Sequence, residues 1–265
     1  MSGNSAFELV NERGWQRGLR NMMRSEMSHW WKTRRWWVNI LVWTGSIVLI
    51  LSGVLIGTPD EPATAESVAL VYAVFAGLIP AVAVIIMMQG AVVGEKKEGT
   101  AAWVLSKPVS RPAFMLSKLL ANSLGVLGTM VVLPGIAAYT LYGIVSGTPW
   151  NPLAFLATLA VIFLSNFFFL SLTLMLGTFF DRRGPVMGIS LGLLLLQQFI
   201  LGMLPFLRYI LPWNLVIPVN EPVDAVVPCL LSGSHHYSII PVLAVAFECI
   251  LFVLVGLYRF TREEF

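Results

Sequence analysis

Charge is scarce in this sequence, and the charged residues that exist lie mostly between long apolar stretches. Only 12% of the residues are Asp, Glu, Lys or Arg, whereas 57% are hydrophobic and the mean hydropathy is +0.79. A soluble globular domain carries roughly 25% charged residues. The composition therefore excludes an ordinary soluble domain and predicts an integral membrane protein.

Cysteine is also scarce, and the residues that catalysis or metal binding needs are missing. Cys229 lies in a connecting segment and Cys249 in an apolar stretch, so we expect no disulfide between them. The pair His235-His236 has no further ligand nearby, and we predict no metal site. Residues 94–100 resemble a phosphate loop only in their glycines, because no Lys follows the second one. We therefore expect no catalytic residue and no nucleotide site on this chain.

Long apolar runs dominate what is present, and each can cross a bilayer as a helix of roughly 20 residues. They are residues 36–56, 68–93, 113–145, 153–180, 185–204 and 239–258. The third is long enough to tilt or to bend at Pro134-Gly135, because proline removes a helix hydrogen bond, and Pro80 could bend the second in the same way. The predicted fold class is therefore all-α integral membrane, with six transmembrane helices.

Basic residues are almost missing from every second connecting segment. Of the 17 Lys and Arg, all but Arg208 fall in the N-terminal segment, in the second-to-third connection together with Lys118 just after it, in the fourth-to-fifth turn and in the tail. Because Lys and Arg are retained on the cytoplasmic side of membranes, both termini should be cytoplasmic. Residues 1–35 are then a cytoplasmic N-terminal segment, and residues 36–265 form one six-span membrane domain. The net charge of +3 reflects this orientation and gives no reason to expect nucleic-acid binding.

The N-terminal residues 13–35 have the pattern of an amphipathic helix. Its basic face carries Arg13, Arg17, Arg20 and Arg24, and its apolar face carries Trp15, Leu19, Met22, Met23 and Trp30. This pattern predicts an interfacial helix with its apolar side in the lipid boundary. Glu26 interrupts the apolar face. A simple membrane anchor and a partner-binding helix both remain open.

The second-to-third connection, residues 94–111, predicts a short helix over about 101–106. Gly99-Thr100 suits a turn and a helix N-cap, and Pro108 ends the helix. The helix would expose Trp103, Val104 and Leu105. It either docks on a partner or lies on the membrane surface.

The segment 205–238 has an apolar sequence although the charge pattern places it outside. Five prolines limit regular helix within it. We expect it to re-enter the outer leaflet, where protein shields its backbone, as a lid over an outward-opening cavity.

A few polar residues fall inside the apolar stretches, where they are costly and usually face other helices. From them we select Gln89, Asn166, Gln197 and Glu248 as a candidate translocation path, although such residues are more often contacts between helices. Glu248 has no basic residue near it in its stretch, so it must be protonated, hydrogen-bonded or facing water.

The loop after the second stretch carries a resemblance to a known family. It holds Glu95, Glu98-Gly99-Thr100, the run from Leu105 through Lys107-Pro108-Val109-Ser110 to Arg111, and then Lys118. These residues resemble the signature of type-2 ATP-binding-cassette (ABC) exporter permeases. Six spans, inside termini, an interfacial helix and an apolar outer insertion extend the resemblance over the whole chain.

The resemblance implies a permease subunit in the inner (plasma) membrane, which pairs with a second permease copy and binds two cytoplasmic ATPase subunits. ATP and Mg would be held by those ATPases, so this chain would not be an enzyme. The residues implied in coupling are Glu95, Glu98, Gly99, Thr100, Trp103, Val104, Leu105, Pro108 and Arg111. The cargo is expected to be amphiphilic. A scaffold that anchors an ATPase or a periplasmic partner, and a secondary transporter, remain as alternatives.

Overall fold

The computed structural model describes residues 14–57, 64–107, 109–219, 225–234 and 236–263, and every long element in these ranges is helical. The helices are α1 (Leu19–Lys32), α2 (Arg35–Ile56), α3 (Ala65–Gly77), α4 (Ile79–Met88), α5 (Val93–Lys97), α6 (Thr100–Leu105), α7 (Arg111–Val126), α8 (Leu133–Ser146), α9 (Pro152–Phe179), α10 (Arg183–Met203), α11 (Trp213–Val216), α12 (Val226–Ser232) and α13 (Ile240–Thr261). The predicted all-α class is confirmed.

Six helical stretches in the described chain are long and apolar enough to cross a membrane. They are Trp36–Ile56, Ala65–Lys97, Arg111–Ser146, Pro152–Phe179, Arg183–Met203 and Ile240–Thr261. The second and third begin and end beyond the predicted bounds, because helix continues into polar residues that hydropathy alone does not count. The six predicted spans are confirmed, and the chain is a multi-pass membrane protein.

Span four, α9, lies at the centre of the bundle. It packs against α13, α4, α10 and α12, and its residues from Phe168 to Leu172 are almost fully buried. Asn151 starts the helix by accepting hydrogen bonds from the N–H groups of Leu153 and Ala154, which is an N-cap. The remaining spans surround α9 and leave their outer faces exposed.

Span two is interrupted at Leu78, between α3 and α4. Pro80 has no N–H, so the carbonyl of Ala76 cannot receive its usual helix bond from residue 80. The side chain of Asn166 on α9 donates to this carbonyl at 3.4 Å. The helix is thus interrupted next to Pro80, where a bend was expected, and a polar group from another span satisfies the freed carbonyl.

Span three is irregular just before Pro134. Residues Leu127–Val132 form a π-helical segment between α7 and α8. A proline at 134 removes the donor for the carbonyl of Met130, and a π segment shifts the bonding pattern around that gap. Gly135 then lets the chain approach span four closely, since a Cβ there would stand 2.5 Å from Leu159.

Helix α1 packs on α7 along the third span. Trp30, only 5% exposed, lies over Gly125 and donates its indole N–H to Asn122 at 3.0 Å. The apolar face was expected to contact lipid, and for Trp30 that expectation is wrong, because a glycine notch in α7 receives the ring. Trp15 is exposed, and Arg13 lies outside the described residues.

The described parts of the 205–238 segment, residues 205–219, 225–234 and 236–238, fold back onto the bundle. The short helices α11 and α12 pack against α3 and α9, and Leu215, Val226 and Val227 are fully or nearly fully buried. Val216 lies against Gly77, where a Cβ would come within 2.6 Å of it. The apolar sequence of α11 and α12 is therefore explained by burial against other spans.

Candidate functional site

Basic residues of the second-to-third connection and the fourth-to-fifth turn lie at one end of the bundle, which we call the basic end. Lys96 reaches the last turn of α9, Arg111 reaches the end of α13, and Arg183 lies over Gly90 and Gly94. The loop between spans two and three runs across this end. It carries the residues that the sequence singled out.

Helices α5 and α6 form a compact hairpin at the basic end. Gly99 turns the chain with φ +69°, a left-handed conformation that favours glycine. Thr100 follows and donates its hydroxyl to the carbonyl of Glu95 at 3.2 Å. The predicted short helix is confirmed as Thr100–Leu105, one residue earlier than expected. Pro108 lies outside the described residues.

The two faces of α6 differ. Trp103 is 62% exposed, and the ammonium of Lys107 lies 3.4 Å from the centre of its ring. Val104 is partly buried against the apolar cluster around Phe114. The expected exposure therefore holds for Trp103 and only in part for Val104. The side chain of Leu105 lies outside what the structure describes.

Ser110 and Arg111 fasten this loop to both terminal parts of the chain. Ser110 caps α7 by accepting from the N–H of Ala113 at 3.1 Å, and its own hydroxyl donates to the carbonyl of Trp15. The backbone N–H of Ser110 also donates to the carbonyl of Arg17 at 2.9 Å. Arg111 donates to the carbonyl of Thr261 at 2.6 Å. The Ser-Arg pair is therefore a structural junction.

Lys118 is a buried cation in the first turns of span three. It is 4% exposed, and its ammonium binds the carboxylate of Glu26 at 2.8 Å and also that of Glu95. Burying a charge is costly unless it is paired. We call Lys118, Glu26 and Glu95 the ion triad. It joins α1, α5 and α7.

Lys96 makes a second ionic contact on the same hairpin. Its ammonium binds Glu263 at 2.6 Å and the carbonyl of Thr178 at 3.1 Å, with Asp181 more distant at 3.8 Å. The C-terminal residues are thereby tied to α5. Together with Arg111, this contact holds the loop between the ends of spans four and six.

Two open grooves flank the ion triad. One, of about 750 Å³, lies between α1 and span two and is lined by Gln89, Lys118 and Arg183 among others. The other, of about 650 Å³, separates α1 from α6 and reaches Trp103. Glu26, Glu95 and Glu98 line both grooves. Glu98 is thus close to the triad without an ion pair among the described residues.

The four candidate translocation residues do not meet in one cavity. Gln89 lines the larger groove, whereas Gln197 is buried and accepts from the N–H of Trp213 at 3.0 Å. Asn166 lies on α9 and is fully buried against the interrupted turn of span two, where it bonds to the carbonyl of Ala76. Glu248 is half-buried on α13, and its Oε2 has no hydrogen-bond partner among the described residues. A role for these residues in transport stays a prediction.

The sequence reasoning missed the partnership of Glu26 with Lys118. Two signals pointed toward it. Glu26 interrupts an otherwise apolar helix face, and Lys118 falls inside an apolar stretch of span three. Each is costly in its place, so each needs an opposite charge, although nothing in the linear pattern says which one.

One comparison with known proteins is informative. A family described as "ABC-2 family transporter protein" matches residues 15–265, which is nearly the whole chain. No curated protein matches it. The match covers all six spans and the loop with α5 and α6, and it agrees with the resemblance seen in that loop. The chain therefore belongs to the ABC-2 family of transporter proteins, as a membrane permease.

Proposed function

We propose that this chain is the permease subunit of an ATP-driven exporter and that α6 is its coupling helix. The observation that supports this proposal most is the exposed Trp103 on a short helix whose base is fixed. A tryptophan that is 62% exposed at the polar end of a membrane bundle is a strong candidate anchor for a protein contact.

The contacts of the hairpin formed by α5 and α6 would transmit a displacement of α6 to the membrane spans. Thr100 and Glu95 close it internally, Lys96 ties it to the end of span four, and the ion triad ties it to span three. The first residue of span three, Arg111, is in turn bonded to the end of span six. A movement of α6 would therefore be accompanied by a movement of the spans to which these contacts connect it. This is what interface-driven rigid-body switching requires.

The basic end would face the cytoplasm, in line with the retention of Lys and Arg on that side. Two ATPase subunits, which hold ATP and Mg, would dock there against two permease copies. Their closure on ATP would rock the permease halves and move an amphiphilic cargo outward. The 205–238 segment would then act as the lid on the outer side, in the inner (plasma) membrane of the cell.

Replacing Trp103 tests the coupling helix. We expect Trp103→Asp to abolish co-purification of the ATPase, because a charge placed in the contact costs about 2 kcal/mol or more. Trp103→Phe, which keeps an aromatic ring, should retain most of it. Both variants should insert in the membrane normally, since Trp103 does not pack in the core. Unchanged ATPase binding by Trp103→Asp would contradict the proposal.

The same purification separates export from the scaffold alternative. An exporter should hydrolyse ATP faster when amphiphilic cargo is supplied in the surrounding membrane. A scaffold should retain its ATPase and show no such stimulation with any amphiphile tested.

A further inference from the structure

We propose that Lys118 is a positioning residue, which makes α6, span three and α1 move as one unit when the ATPases close. This inference rests on the proposed function and adds a route for the motion. The route runs from α6 through Glu95 to Lys118 and from there through Glu26 to α1.

The first link joins α6 to span three. The backbone carbonyl of Glu95 holds the Thr100 hydroxyl at the start of α6, while the carboxylate of Glu95 binds Lys118. One residue therefore contacts both the start of the coupling helix and a buried cation. A displacement of α6 pulls directly on Lys118.

The second link joins span three to α1. Lys118, Asn122 and Gly125 lie at helical spacing on one face of α7, and they meet Glu26 and Trp30 of α1. The contacts are an ion pair of 2.8 Å, a hydrogen bond of 3.0 Å and a ring seated in a glycine notch. Helix α1 would have to break this set of contacts to move independently of α7.

Burial makes the triad stiff. Lys118 is 4% exposed, so its ammonium needs a carboxylate partner even though open grooves flank the triad. An exposed ion pair would be weak and would transmit little. With two carboxylates on one ammonium, each single Glu→Gln change still leaves Lys118 one charged partner. These variants can therefore fold, whereas Lys118→Met would leave two carboxylates without their cation.

Hydrogen–deuterium exchange on the purified permease–ATPase complex, with and without ATP, reads each link separately. In the wild type, α5–α6, the first turns of α7, and α1 should all change protection on ATP binding. Glu95→Gln should keep the response of α5–α6 and lose it in α7 and α1. Glu26→Gln should keep the first two responses and reduce only that of α1, because Trp30 still holds α1 to Asn122 and Gly125.

Asp181→Asn is the matched control, because it removes an exposed carboxylate at the same end while Lys96 keeps Glu263. It should leave all three responses intact. An α1 response that survives Glu95→Gln would overturn the relay, since a purely structural Lys118 needs only one remaining carboxylate. A wild-type complex in which α5–α6 itself shows no response to ATP would overturn the proposed function, and this inference with it.

Discussion

At the scale of single residues, close packing between α1 and α7 depends on the absence of a side chain at Gly125. The Trp30 ring occupies the space that a Cβ would need, at 2.5 Å, and its indole N–H is held by Asn122. The ring cannot shift without giving up that hydrogen bond. Gly125 is therefore the residue that permits α1 to dock.

Gly125→Ala should loosen α1 by about 1–3 kcal/mol, the usual cost of overpacking. The matched control is Gly128→Ala in the same span, where nothing lies within 4 Å of the new Cβ. Limited trypsin digestion at Arg20 and Arg24 on α1 reads the effect. Cleavage should accelerate in Gly125→Ala and stay unchanged in the control, and equal rates in both variants would contradict the packing argument.

At the scale of elements, span two is interrupted because Pro80 lacks the N–H that would bond to the Ala76 carbonyl, and span four supplies a donor in its place. Asn166 donates to the Ala76 carbonyl, and Gly77 next to it accepts the side chain of Val216 from the 205–238 segment. The broken turn thus positions both α9 and α11. This explains Asn166 structurally, whether or not it also contacts cargo.

A double-mutant cycle tests this account. Asn166→Leu should lower the free energy of unfolding by about 1–3 kcal/mol, because it leaves the Ala76 carbonyl unsatisfied. In a Pro80→Ala background residue 80 regains its N–H and can bond to that carbonyl, so the same change should cost less. Unfolding of the protein in mixed micelles with increasing SDS gives both values. Equal losses of unfolding free energy in the two backgrounds would show that Asn166 does not compensate for the missing N–H of Pro80.

At the scale of the whole molecule, the basic end and the 205–238 segment lie on different parts of the bundle. Lys97 is exposed next to α6, and His236 is exposed after α12. Under the charge rule these positions face opposite sides of the membrane. The distribution of charges thus makes a topological prediction that one labelling experiment can check.

A membrane-impermeant maleimide should label His236→Cys in intact cells and should label Lys97→Cys only after permeabilisation. Cys229 and Cys249 are buried and are first replaced by Ala to remove background. Permeabilised cells serve as the control, in which both probes should react. The reverse pattern in intact cells would invert the topology and place α6 away from cytoplasmic ATPases.

The sequence by itself determined the six spans, the irregular helix next to Pro80 and Pro134 and the short helix after Gly99. These features are local, because hydropathy over one helix length, a missing N–H or a left-handed turn acts within a few residues. The loop motif also placed Glu95, Thr100 and Trp103 in one candidate site.

Only the tertiary structure decided which distant groups meet. Lys118 binds Glu26 from 92 residues away, Trp30 fits the notch at Gly125, and Asn166 reaches the carbonyl of Ala76 from 90 residues away. The partial burial of Val104 is likewise a tertiary effect, since this side chain packs against the apolar cluster around Phe114. No periodic pattern in the sequence indicates such contacts, because the position of one span relative to another follows from the packing of the whole bundle.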